Sequence, residues 1–167
     1  MISKILLATD GSEAALKATR YAVDLAKQIS ASIIVLSVID NRSLTSYYAA
    51  PPEVTAIHIV EPLEDFLREA AKRDIAKVKK LCEKKGVSCR GIISTGHPAE
   101  EIVKEAERSK SNLIILGSHG KSALAAVFLG SVTYGVIHKD THVPILIVRR
   151  GEKNNKGTHH KPTKTSF

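Results

Sequence analysis

At 167 residues, 43% hydrophobic and 25% charged, the chain has the balance of one globular domain long enough to bury a sizeable core. Its longest apolar runs, such as SIIVLSVI, fall far short of the roughly 18 residues that span a bilayer, so a membrane role is not expected. The net charge of +8 is uneven: Arg149–Phe167 carries six Lys/Arg against one acid, leaving 19 against 16 in the preceding 148 residues, so no specific nucleic-acid partner is expected from the folded part.

The first twelve residues, MISKILLATDGS, hold one lysine and an apolar stretch too short for a signal-peptide core, so a cytoplasmic protein is expected. KILLAT (4–9) reads as a strand. Ser12 can cap a following helix that carries Ala15, Ala18, Ala22, Leu25, Ala26 and Ile29 along one face. SIIVLSVI (32–39) is the second strand. Residues 40–62 then form a connection too long for a compact α/β unit, read as a lid or a partner-contacting flap. Leu67, Ala71, Ile75, Val78 and Cys82 make a second helical stripe that ends near Gly86. RGIIST (90–95) is the third strand. Pro98 opens a third helix with Glu100 and Glu101 at its positive end, and Ala99, Ile102, Val103 and Ala106 facing inward. NLIILG (112–117) and PILIVR (144–149) are the last two strands, separated by a short helix over about 131–139 with Val132, Val136 and Ile137 buried. The tail, 151–167, lacks apolar periodicity and is expected to be disordered. Cys82 and Cys89 have no metal-ligand spacing and read as reduced structural thiols. His97, His138 and His142 have no ligand-like partners in sequence.

The strands are near-continuous apolar runs, which suits burial on both faces. Strands and helices alternate in the order of a doubly wound α/β domain: a five-stranded parallel sheet, order 3-2-1-4-5, Rossmann-like, flanked by helices. In such sheets ligands sit beyond the carboxyl ends of the strands at the switch point, here after Thr9 and after Leu116.

The loop after the fourth strand, GSHGKSALAAVFLGSV (117–132), carries the chemistry. Its GKS resembles the end of a Walker A loop, but the position that needs the first glycine is Ile115, inside the strand, and no acidic residue closes the strand to hold magnesium. What remains is Gly117-x-x-Gly120, nine residues, then Gly130-Ser131. Gly117 lets backbone approach a sugar or phosphate. Gly120 permits a turn whose amide can face a phosphate, and Gly130-Ser131 opens a helix, with Ser131 and Thr133 adding hydroxyl donors. Two backbone cradles on one crevice suit a polyphosphate.

This G-x2-G-x9-G-[S/T] spacing, with KILLATDGSEAALKATRYAVDLA, VLSVID, GHPAEEIVKEAE and LIILGSHGKSALAAVFLGSVTYGVIHKDTHVPILIVRR around it, resembles the ATP-binding branch of the universal stress protein family over residues 1–150. The resemblance implies that Asp10 lies near the ribose and phosphates, with Ala8 and Thr9 lining the adenosine pocket. Ala8 stands where relatives often carry proline. It implies further that Val38 reads adenine through its backbone, that Leu116 and Gly117 touch the ribose, and that Gly120, Gly130, Ser131, Val132 and Thr133 hold the phosphates. ATP is the implied ligand, with Mg2+ or Mn2+ held mainly by the phosphates, and a homodimer pairing through strand 144–149 is the implied assembly. No signature of a conventional enzyme appears, since HxGH and SGGxDS are both absent. A homodimeric ATP-binding stress or signalling module is therefore expected, beside a slow ATPase or an interaction module that binds no nucleotide.

Overall fold

The computed structural model describes residues 1–42, 57–120 and 129–149. Along the chain it runs β1 (Lys4–Ala8), α1 (Glu13–Ile29), β2 (Ser32–Asp40), α2 (Ile57–Lys85), β3 (Cys89–Gly96), α3 (Pro98–Arg108), β4 (Leu113–Gly117), α4 (Ser131–Ile137) and β5 (Ile145–Val148). The strands form one parallel sheet in the order β3-β2-β1-β4-β5, the expected architecture.

The apolar runs divide between the two faces by the period-2 alternation of a strand. Ile5, Leu7, Ile33, Val35, Leu113 and Ile115 pack with residues of α1 and α2 on one face. Leu6, Ile34, Leu36, Ile114 and Leu116 pack with residues of α3 and α4 on the other. Each fully buried Ile or Leu contributes about 2 kcal/mol of transfer free energy, so the central strand is anchored from both sides.

The helices follow their signals. Ser12 Oγ accepts the Ala15 N–H at 3.2 Å and caps α1, whose buried face is built mainly of alanines. Small side chains let this helix lie close on the sheet, while Leu25 is only half-buried and Ile29, at the helix end, is exposed. In α2, Ala71, Ile75, Val78 and Cys82 are buried as expected, and Gly86 ends the helix at φ +71°. Cys82 and Cys89 are free thiols, and the hydrogen bond with Cys89, together with burial, pushes the Cys82 thiol up.

Three expectations need correction. The strand β2 extends to Asp40 because its pairing with β3 continues to Asp40↔Gly96, and α2 starts at Ile57. Both ends of the expected 40–62 connection therefore belong to regular elements. In α4, Val136 is buried and Val132 half-buried, but Ile137 is exposed. At 100° per residue Ile137 lies about 140° round from Val132, on the solvent side of a helix only two turns long. The lid or flap reading of residues 43–56, the placement of Lys121, Leu124, Val127 and Phe128, and the tail 151–167 lie outside the described residues.

Candidate functional site

Strand order reverses between β1 and β4, and a cleft of about 270 Å³ opens where their carboxyl ends diverge. Ala8, Thr9, Asp10, Val38, Leu116, Gly117, Gly120, Val132 and Thr133 line it. Of the residues singled out from sequence, Gly130 and Ser131 do not. Gly130 instead ties α4 to the loop after β4, its N–H donating to Ser118 O at 2.8 Å, and Ser131 is exposed.

One end of the cleft is polar. Gly11, at φ +74°, turns the chain out of β1 so that Asp10 Oδ1 accepts the Ser12 N–H at 3.0 Å. At that φ a side chain is strained, and a Cβ on Gly11 would also displace the Asp74 carboxylate of α2, so the turn favours glycine. Ser12 in turn donates to His119 O at 3.4 Å, joining the two loops of the switch point. His119 Nδ1 shares a hydrogen bond of 2.8 Å with Ser118 Oγ, while its Nε2 is sealed from solvent and has no partner among the described residues.

Two glycines there also have close packing neighbours. A Cβ on Gly117 would lie 2.7 Å from the backbone carbon of Ala14, so that glycine serves the close packing of α1 on β4. A Cβ on Gly120 would lie 3.0 Å from Asp10 Oδ2, which places Gly120 directly against the carboxylate. Thr133 is buried and donates its hydroxyl to Gly117 O at 2.9 Å, so that proton is committed to the strand end and not to a ligand. The first helical bond of α4 is Tyr134 N to Gly130 O, leaving the amides of Ser131, Val132 and Thr133 ahead of it. Seven residues give too short a dipole to hold an anion alone.

The other end is an apolar slot of Ala8, Leu36, Val38, Pro98, Ile102 and Val132, closed by Asp40. Even-numbered residues of β2 turn their peptide groups toward β1: Ser32 N donates to Ser3 O and Leu36 O accepts from Thr9 N, both at 2.9 Å. The β1 ladder ends at Ala8↔Leu36. The next even residue, Val38, therefore presents its N–H and C=O past the end of β1, toward the cleft. Neither Asp40 nor Pro98 nor Ile102 was singled out from sequence. Their signal was positional, the end of the second strand and the start of the third helix.

The cleft thus joins an apolar slot edged by the Val38 peptide to a polar end that holds Asp10 and the Gly117–Gly120 turn. A metal has one carboxylate near that turn, Asp10, and among the described residues no group of three or more His, Cys, Asp or Glu converges. Among the described residues no helix is long and apolar enough to cross a membrane.

The model of the universal stress protein family matches residues 1–149. Universal stress protein MJ0531 of Methanocaldococcus jannaschii is 35% identical over 153 residues, covering 92% of this chain and 85% of its own length. The solved structure of MJ0577, a universal stress protein of the same organism, superposes with a TM-score of 0.77 at 38% identity, covering 91% of this chain and 99% of that one. A universal stress protein from Archaeoglobus fulgidus in complex with dAMP has a TM-score of 0.62 at 17% identity, covering 89% and 98%, a likeness of fold. By motif, by topology and by these matches, the chain is a member of the universal stress protein family.

Proposed function

We propose that this chain binds ATP in the switch-point cleft and works in the cytoplasm as a homodimeric nucleotide-dependent module of stress response or signalling. The observation that carries the reading is the Val38 peptide presented past the end of β1, with an apolar slot on one side and the Asp10–Gly120 contact on the other. A base needs the first and a sugar-phosphate the second. Asp10 meets the ribose, and Mg2+ or Mn2+ arrives on the phosphates. Adenine binding was recorded in the Archaeoglobus fulgidus protein as a dAMP complex; at its identity that supports the fold's capacity, and the cleft supports the ligand.

The homodimer reading rests on β5. It is the outer strand of the sheet, its four side chains are half-buried, and an unpaired parallel edge is a template for another strand. Antiparallel pairing of 144–149 with a second copy would cover it.

Protein purified without added nucleotide and then denatured should release an adenine nucleotide, and calorimetry on stripped protein should show ATP binding. No released nucleotide and no heat with ATP would refute the reading. ATP turnover should stay far below the ordinary enzymatic range of about 1 per second or more.

A further inference from the structure

We propose that Asp40, fixed by Arg42 at the outer end of the base slot, is a specificity residue that accepts a hydrogen bond from the exocyclic amino group of the bound purine. The inference rests on the nucleotide reading above and adds to it the rule by which the base is chosen.

Asp40 closes β2, and its side chain follows Ile34, Leu36 and Val38 on the face covered by α3, so it lines the cleft two residues beyond the Val38 peptide. At about 3.3 Å per residue that separation is about 7 Å along the strand. Arg42 holds the carboxylate by three donors. Its N–H reaches Oδ1 at 3.0 Å, Nε reaches Oδ1 at 3.0 Å and Oδ2 at 3.1 Å, and Nη2 reaches Oδ2 at 2.6 Å. A carboxylate offers about four acceptor sites, so one donor more can be taken. The Arg42 guanidinium also holds the Asp40 carboxyl below the usual carboxylate range, with a smaller contribution from nearby His97, so the group is an acceptor only at neutral pH.

The Val38 peptide alone does not fix the base. Its N–H and C=O can meet the N1 and amino group of adenine, or, with the ring turned over, the carbonyl and N1–H of a 6-oxo purine. The acceptor-only carboxylate breaks that tie. An adenine amine has two hydrogens; one goes to the Val38 carbonyl and the second to Asp40. Hypoxanthine in the turned pose offers Asp40 only its C2–H, so the hydrogen bond to the carboxylate is lost.

The test compares ATP with inosine triphosphate, which carries a carbonyl in place of the amine, by calorimetry on nucleotide-stripped full chain. The wild type should prefer ATP by about tenfold or more, the scale of one hydrogen bond to a charged group. Asp40→Ala should bring the ratio of the two affinities close to one, chiefly by weakening ATP. Asp40→Asn, isosteric but neutral, should narrow the ratio by giving the adenine amine a weaker acceptor. Arg42→Ala should narrow it partly by releasing the carboxylate. An unchanged ratio in Asp40→Ala, with ATP still bound, overturns the role of Asp40 and leaves the nucleotide reading standing. A wild type that binds neither nucleotide overturns both. GTP has its amine at C2, so a larger loss for GTP than for ATP in Asp40→Ala would overturn the assignment to the adenine amine.

Discussion

Gly117 and Gly120 stand three residues apart at the end of β4, and a methyl group on each would meet a different kind of neighbour. On Gly117 it would lie 2.7 Å from backbone carbon and 2.9 Å from both carbonyl oxygen and Cβ of Ala14. Backbone in a capped helix cannot give way, so Gly117→Ala should destabilise the fold by about 1–3 kcal/mol, read as a lower urea midpoint. On Gly120 the methyl would meet, among the described residues, the end of the Asp10 side chain, at 3.0 Å, which can swing aside. Gly120→Ala should therefore leave stability within about 0.5 kcal/mol and weaken ATP binding by displacing Asp10. The contrast separates a packing glycine from a site glycine, although the spacing motif treats both alike. If Gly120→Ala kept full affinity, the Asp10–Gly120 contact would have no part in the site.

At the scale of elements, β5 presents the clearest unfinished surface. Ile114 N donates to Pro144 O and Ser118 N donates to Val148 O, both at 2.9 Å, so the even residues of the strand face β4. In a parallel ladder the odd residues then turn their peptide groups outward, which puts the N–H of Ile145 and Ile147 on the open edge. Ile147→Pro removes one outward donor and none that β4 uses, so it should yield a folded monomer in light scattering if the copies pair here. A dimer that survives the substitution would place the contact elsewhere. How much of these elements could be read from sequence follows from burial. Strands β1, β2 and β4 are covered on both faces, and their unbroken apolar runs declared them. The seven-residue α4 has one buried face of Val136 and Thr133, too few positions to fix a helical phase, and Ile137 was misplaced for that reason. Asp40 escaped notice because an acidic residue after an apolar run reads as the start of a loop. Pairing with Gly96 of β3, a contact distant in sequence, is what extends the strand and delivers the carboxylate to the cleft.

At the scale of the whole molecule, the sheet separates two cores, and the cleft lies at its carboxyl edge, drawing on β1, β2, β4, α3 and α4. A ligand held by the three central strands and the helices beside them stabilises the folded state as a unit, since their release requires the sheet to open. At a free concentration 100 times Kd, binding adds about 2.7 kcal/mol to unfolding. For a domain of this size each kcal/mol raises Tm by about 2–4 °C, so saturating ATP should raise it by about 5–10 °C. The basic tail offers a competing account, because ATP is an anion and residues 151–167 carry four lysines against one glutamate. Attraction to such a segment is screened by salt and needs no folded structure, so it gives little thermal shift and fades as ionic strength rises. Deleting 151–167 should therefore leave both the ATP-induced shift and the dimer unchanged at 0.15 M salt or about that strength. A shift that vanishes with the tail would move ATP recognition out of the cleft altogether.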